Sequence, residues 1–186
     1  MLFLCTGNIC RSPMAEVLLQ ARCDAAGIDA TVSSAGLLYD GAPASGGAVE
    51  AMAGRGLDLS GHRSRILRRE HLAAADLVLG MARMHVREAV VLDRARFGRT
   101  FTLKELVRRA EATGPRRDGT FDAWLGATGA GRRTVELLGE DPADDVADPI
   151  GRPLPFYERT ADELSELVDR VVEAVWRQAG TSAGVE

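Results

Sequence analysis

Near the start of the chain, Cys5 and Arg11 enclose five residues in the segment CTGNICRS. A cysteine thiolate is a strong nucleophile, and a guanidinium can bind two oxygens of a tetrahedral anion at once. Backbone amides in such a loop point at the same anion, and together with the guanidinium they favour the thiolate over the thiol. The spacing predicts a loop that holds phosphate, or an analogue such as arsenate, with the Cys5 sulfur behind the central atom.

The elements on either side of this segment are suited to position it. The apolar run at residues 1–4 predicts a short buried strand, and Pro13 suits the first turn of a helix that Ser12 caps and Gly27 ends. A helix N-terminus at the carboxyl end of a parallel strand attracts anions. Gly7 allows close backbone approach, and Asn8 tolerates a left-handed conformation.

Further along, apolar patterns predict strands alternating with helices. We expect strands at 30–34, 76–81 and about 99–102, and helices at 47–54, 65–75, 83–93, in LKELVRRAEA, in GRRTVELLG (short) and at 158–178. This alternation favours an α/β fold, a single doubly wound domain over residues 1–186 built on a parallel sheet. Within residues 103–140 the helical LKELVRRAEA is followed by TGPRRDGT, which is typical of a turn or loop, and 141–155 are expected to form a loop.

Composition excludes several classes of function. The 186 residues are 46% hydrophobic with a net charge of −4, so the chain can bury a core but has no basic field for nucleic acid. No apolar stretch approaches the roughly 20 residues of a membrane span, and the first run is too short for a signal peptide, which favours a cytoplasmic protein. Three cysteines, Cys5, Cys10 and Cys23, do not suggest a disulfide framework or a metal site, and no cofactor is expected.

The segment CTGNICRSPMAE resembles the signature of the low-molecular-weight protein tyrosine phosphatase family. Further segments are similar to the family in order: SSAG at 33–36, GLDLSGHRSR at 56–65, ADLVLGM at 75–81 and DPIGRPLPFYERT at 148–160. The resemblance covers most of the chain, with 93–140 the least similar part. It implies a four-stranded parallel sheet flanked by helices, with 103–140 as a variable elaboration, and a metal-free mechanism in two steps.

The resemblance also implies a role for individual residues. Cys5 would attack phosphorus to form a phosphocysteine, and Asp148 would protonate the leaving oxygen and then activate water. The chemistry alone requires such an acid but leaves Asp141, Asp144 and Asp145 equally open.

The resemblance gives supporting roles to three further residues: Pro149 would stiffen the loop that carries the acid, Ser12 would donate a hydrogen bond to the thiolate, and Asn8 would brace the phosphate loop. The phosphate-binding set is expected to be Thr6, Gly7, Asn8, Ile9, Cys10, Arg11 and Ser12.

The remaining cysteines and the basic run have plainer interpretations. Cys10 is either a packing residue or, as in some family members, a thiol that forms a reversible disulfide with the nucleophile. Cys23 lies on a predicted helix and is expected to be structural. His62 is expected to support the site rather than act as a base, and HRSRILRR reads as a solvated face that can help to recruit acidic phosphoproteins.

The substrate is narrowed by the residues expected at the rim of the site. Ile9 stands where the similar protein-arginine phosphatases carry threonine, and a β-branched apolar residue suits a phenyl ring better than a guanidinium. Phosphotyrosine in proteins is therefore favoured, with a cognate tyrosine kinase as a possible partner. Ile150 replaces the aromatic residue that many tyrosine-specific members carry after Asp-Pro, and Tyr39 can supply an aromatic wall instead.

Four alternatives to the hydrolysis of phosphotyrosine in proteins stay open. A small phosphorylated metabolite and protein phosphoarginine fit the same loop chemistry. Arsenate reduction coupled to thioredoxin needs further cysteines downstream, and none follows Cys23. A phosphoprotein-binding module without turnover would not need Cys5 and Asp148 together.

Overall fold

Four parallel strands form the centre of the protein, whose computed structural model describes residues 1–117, 119–139 and 141–176. The strands are β1 (Leu2–Cys5), β2 (Ser33–Gly36), β3 (Val78–Gly80) and β4 (Thr100–Thr102), in the order β2-β1-β3-β4. The chain therefore passes from β1 to one side of the sheet and then returns to the other side. This confirms the predicted doubly wound α/β fold and its four-stranded sheet. The switch point lies at the carboxyl end of β1, where such folds bind ligands.

Seven α-helices surround the sheet in the described part of the chain. They are α1 (Arg11–Ala26), α2 (Gly46–Ala53), α3 (Arg69–Ala74), α4 (Arg83–Leu92), α5 (Leu103–Thr113), α6 (Phe121–Thr128) and α7 (Leu154–Val175). Two short 3-10 helices cover Arg94–Arg99 and Thr134–Leu137. Not one of the helices in these described ranges has both the length and the apolar composition needed to cross a membrane.

The alternation of side chains along β1 separates two cores. Phe3 points to a core shared with α1, α2, α5 and α7, whereas Leu2 and Leu4 point to the opposite core with Leu72 and Ala89. Helix α7 packs along α1, and the pair is tied at its exposed side by an ion pair from Arg22 Nε to Asp169 Oδ1 at 2.6 Å. Because β1 is buried on both faces, the loop that follows it starts from a rigid support.

Several predicted boundaries were wrong. Helix α1 begins at Arg11, before Ser12, and Ser12 does not cap it. Strand β2 is shifted toward the carboxyl end because it pairs in register with β1, with Cys5 opposite Gly36. Helix α7 starts at Leu154 rather than 158, α3 is shorter than 65–75, and α6 was not predicted. The predicted end of the last helix at 178 lies outside the described residues.

Candidate active site

The predicted phosphate loop joins β1 to α1 at the carboxyl edge of the sheet. Cys5 is the last residue of β1 and Arg11 is the first residue of α1. Both are buried, with 2% of Cys5 and 6% of Arg11 exposed. Helix α1 therefore directs its free N–H groups and its positive dipole end at the loop.

The Cys5 sulfur lies within hydrogen-bonding distance of two donors. The Ser12 hydroxyl is 2.9 Å from Cys5 Sγ, and the backbone N–H of Asn8 donates to the same sulfur at 3.2 Å. These two contacts hold the sulfur at the base of the loop, and the thiolate is the nucleophilic form of a cysteine. The Ser12 hydroxyl acts on Cys5 and Asn8, and this is the physical reason that it does not cap the helix.

Asn8 holds the loop in shape from a left-handed conformation, with φ at 52°. Its side-chain amide donates to Ser12 Oγ at 3.0 Å and to Ser34 Oγ at 2.7 Å. Its side-chain oxygen accepts from the Arg65 backbone N–H at 2.9 Å, and its backbone carbonyl accepts from His62 Nε2 at 2.7 Å. The hydrogen bond from His62 to the Asn8 carbonyl is consistent with the supporting role expected for His62. Ser34 and Arg65 were not predicted as site residues, although Ser34 lies in SSAG and Arg65 in GLDLSGHRSR.

The Arg11 guanidinium connects the phosphate loop to the segment that carries Asp148. Nη1 donates to the Val146 carbonyl at 3.1 Å, and Nη2 donates to the Asp148 carboxylate. Nε is buried without a hydrogen-bond partner among the described residues. An oxyanion held by the loop would satisfy this donor, because a guanidinium binds oxygens in pairs.

Asp148 lies at the mouth of the site. Its side chain is 39% exposed, and Oδ1 accepts from the Ile150 backbone N–H at 3.1 Å, which fixes its orientation. The structure thus brings together Cys5, Arg11 and Asp148, three residues that the sequence analysis selected. A carboxyl group placed there can give a proton to a group leaving from phosphorus.

Two of the predicted rim residues, Ile9 and Tyr39, lie beside Gly7. A β-carbon on Gly7 would lie 3.1 Å from two ring carbons of Tyr39 and 3.3 Å from Cγ1 of Ile9. The two side chains therefore border the loop on the side to which a Gly7 side chain would project. Tyr39 is 47% exposed and Ile150 is 49% exposed, so both are open to a ligand.

Cys10 points toward α2 and not to solvent. Its sulfur is 2.9 Å from the Ser45 hydroxyl, next to the start of α2, and burial raises the pKa of the Cys10 thiol to about 11. Cys23 is fully buried in α1, as expected for a structural residue, and burial raises its pKa as well. All three cysteines are free thiols.

His85 is a residue of the site that sequence reasoning missed. Its Nε2 is 3.0 Å from Thr6 Oγ1, and its Nδ1 is buried without a partner in the described part of the chain. Burial, helped by the charge of Arg11, lowers the pKa of His85 to about 3. The ring is therefore neutral near pH 7 and adds no positive charge beside Arg11. Its position in the first turn after β3, at the same sheet edge, was the available signal.

No group of three or more His, Cys, Asp or Glu side chains is arranged to hold a metal ion within residues 1–117, 119–139 and 141–176. A cavity of about 800 Å³ lies elsewhere, beside Met1, Asp76 and Trp176 at the amino-terminal edge of the sheet. This cavity therefore lies at the edge of the sheet opposite to Cys5, Arg11 and Asp148.

Comparisons with known proteins agree with this geometry. The family model for low molecular weight phosphotyrosine protein phosphatase matches residues 1–115. A protein-arginine-phosphatase from Geobacillus stearothermophilus is 33% identical over 173 residues, covering 92% of this chain and 93% of that protein. A probable low molecular weight protein-tyrosine-phosphatase EpsP from Ralstonia solanacearum is 40% identical over 106 residues, covering 56% of this chain and 70% of that protein.

A solved structure shows the same likeness over nearly the whole fold. The low molecular weight protein tyrosine phosphatase from T. tengcongensis is 39% identical, with a TM-score of 0.71, and the match covers 92% of this chain and 96% of that one. From the motif, the fold and these matches, the chain belongs to the low molecular weight phosphotyrosine protein phosphatase family.

Proposed function

We propose that this phosphatase hydrolyses phosphotyrosine in proteins through a phosphocysteine intermediate. The observation that supports this substrate is the apolar wall that Ile9 and Tyr39 make beside Gly7, both on the side to which a Gly7 side chain would project, at the rim of the loop that holds Cys5. A flat phenyl ring can pack against these two side chains while its phosphate reaches the loop amides. Burial of the ring contributes about 25 cal/mol per Å² of apolar surface removed from water.

The reaction proceeds in two displacements at phosphorus. The Cys5 thiolate attacks, an S–P bond forms, and the bond from phosphorus to the leaving oxygen breaks as Asp148 transfers its proton to that oxygen. Asp148 then takes a proton from water, which attacks phosphorus and releases Cys5 with inorganic phosphate. Throughout, Arg11 and the loop amides hold the phosphoryl oxygens, on which charge shifts in the transition state.

Phosphoarginine is a second candidate, because the Geobacillus relative that matches 92% of this chain is named a protein-arginine-phosphatase. The side chain at position 9 distinguishes phosphotyrosine from phosphoarginine as the substrate. This chain has Ile9, whereas similar arginine phosphatases carry threonine there. A small phosphorylated metabolite is the third, supported by the aliphatic Ile150 after Asp-Pro. If phosphotyrosine is the substrate, a tyrosine kinase that phosphorylates the same proteins is the expected partner.

The test measures phosphate release, without added metal, from a phosphotyrosine peptide, a phosphoarginine peptide and a small alkyl phosphate. Wild type is expected to prefer phosphotyrosine, and Cys5→Ser to lose turnover by on the order of 10³-fold or more. Cys23→Ser is the matched control, because this buried thiol lies on α1 outside the loop, and its activity should equal that of wild type.

Two variants test the rim directly. Tyr39→Ala removes one side of the apolar wall and should raise KM for the aryl substrate more than for the alkyl phosphate. Ile9→Thr should shift the ratio of kcat/KM values from phosphotyrosine toward phosphoarginine. A wild-type preference for phosphoarginine or for the alkyl phosphate would overturn the substrate and keep the mechanism. A folded protein that turns over none of the three would contradict the enzymatic proposal.

A further inference from the structure

A buried carboxylate ties the segment that carries Asp148 to two helices. Asp144 Oδ2 accepts from Arg83 Nε at 2.8 Å, and Asp144 Oδ1 accepts from Arg108 Nη1 at 2.7 Å. Arg83 is the first residue of α4, and Arg108 lies in α5. Only 5% of the Asp144 side chain is exposed, so both of its oxygens depend on these two partners.

The two arginines decide the charge of this carboxyl group. Burial opposes ionisation of Asp144, but hydrogen bonds from Arg108 and Arg83 outweigh it and hold the pKa of Asp144 below its ordinary value. The group is therefore an ionised carboxylate between two cations at neutral pH. Breaking a buried pair by removing one partner is strongly destabilising locally, which makes this a firm anchor for the backbone that carries it.

The next two residues extend the anchor toward Asp148. Asp145 Oδ1 accepts from the Arg83 backbone N–H at 3.0 Å. The Val146 N–H donates to the Met81 carbonyl at 2.8 Å, and its own carbonyl accepts from Arg11 at 3.1 Å. Residues 144–146 are thus fixed one after another to α4, α5, the residue after β3 and Arg11 at the end of the phosphate loop. The first side chain beyond them that faces Arg11 is Asp148.

From this geometry we propose that Arg83, Asp144 and Arg108, together the acid-loop clamp, position the Asp148 carboxyl group for proton transfer to the leaving oxygen. The proposal rests on the proposed phosphatase mechanism. It gives α5, in the segment 103–140, a role in positioning the acid through Arg108. The clamp residues are positioning residues, since they act through the backbone of Asp148 and not on substrate.

Proton transfer is sensitive to such positioning. A general acid needs a heavy-atom distance of about 2.6–3.2 Å to the atom that it protonates. A displacement of about 1 Å can cost on the order of 100-fold in rate. An ion pair that only stabilises the fold would instead change the fraction of active protein, and would lower the rate for every substrate by the same factor.

The experiment compares two aryl phosphates that differ in their need for a proton. p-Nitrophenyl phosphate has a good leaving group, whereas phenyl phosphate needs the acid. For Asp144→Asn we expect kcat/KM, which reports only the steps up to release of the leaving group, to fall about tenfold with phenyl phosphate and less than about threefold with p-nitrophenyl phosphate. Inhibition by inorganic phosphate should change less than about threefold, because the loop around Cys5 is kept. Asp169→Asn is the matched control, since it breaks an inter-helix ion pair remote from this loop and should preserve the ratio of the two rates.

Arg108→Met repeats the test from the other side of the clamp. Arg108 is 56% exposed, so its replacement leaves no cavity in the core, and Asp144 keeps Arg83 as a partner. The same change in the ratio of rates is expected. An equal loss of kcat/KM on both substrates in the two variants would overturn the clamp and leave the proposed phosphatase mechanism in place. Failure of wild type to hydrolyse either aryl phosphate would overturn the phosphatase mechanism, and the clamp with it.

Discussion

Gly36, at the end of β2, is in direct contact with Asn8 of the phosphate loop. A β-carbon on Gly36 would lie 2.8 Å from both the backbone nitrogen and the Cβ of Asn8. Backbone cannot give way as a flexible side chain does, so any side chain at position 36 pushes the loop out of place. Strand β2 therefore acts as the wall against which the loop is shaped.

For this reason Gly36→Ala is expected to lower the free energy of unfolding by about 1–3 kcal/mol and to reduce kcat/KM at least tenfold. Denaturant unfolding and assay with p-nitrophenyl phosphate measure the two effects. Gly46→Ala is the control, because a β-carbon there meets open space at the start of α2. Equal behaviour of the two variants would show that the contact with Asn8 does not constrain the loop.

Asp148→Asn removes the proposed proton donor while keeping the size of the side chain. We expect kcat/KM, which reports only the first displacement, to fall on the order of 10²- to 10⁴-fold with phenyl phosphate, and much less with p-nitrophenyl phosphate. Asp141→Asn is the comparison within the same segment, because Asp141 pairs with Arg83 and does not face Arg11. A rate loss at Asp141 that matched the loss at Asp148 would contradict the assignment of the acid.

His85 gives the protein a defined response to acid. Its folded-state pKa of about 3 lies below the ordinary 6.5, so unfolding takes up a proton as the pH falls between these values. The stability that comes from burying the neutral ring is present above pH 6.5 and is lost toward pH 3, at up to about 1.4 kcal/mol per pH unit. In His85→Asn this contribution to the pH slope of the unfolding free energy is expected to vanish. An NMR titration of the wild-type ring with a midpoint near 6.5 would refute the buried neutral state.

Peroxide treatment tests the two interpretations of Cys10. If Cys10 forms a disulfide with oxidised Cys5, inactivated wild type recovers with dithiothreitol and Cys10→Ser recovers much less. Because the pKa of Cys10 is about 11, the protective step should quicken as the pH rises from 7 to 9. Equal recovery of both proteins would leave Cys10 as a packing residue beside Ser45.

The sequence was informative where local chemistry decides the structure. The spacing of Cys5 and Arg11 between a strand and a helix predicted the loop, and the left-handed Asn8 was expected from its residue type, with φ at 52°. Ser12 was misplaced as a helix cap, because its hydroxyl is recruited by Cys5 and Asn8. Local propensity contains no information about such partners.

Long-range contacts explain the rest of the differences. Sequence chemistry alone could not choose among four aspartates, but the fold separates them: Asp141 and Asp144 bind the Arg83 side chain, Asp145 binds the Arg83 backbone, and Asp148 binds Arg11. His85 has no motif of its own and joins the site only because β3 lies next to β1. The start of β2 depends on its register with β1, which no local pattern encodes.

The link between Arg11 and Asp148 spans 137 positions of the chain, and this has a consequence at the ribosome. The thiol loop is translated first, whereas Asp148 and the helix that packs along α1 emerge much later. A nascent polypeptide therefore contains the Cys5 loop before Asp148, the proposed proton donor, has been added. Premature termination upstream of Asp148 would release a product that carries the proposed nucleophile without the proposed acid.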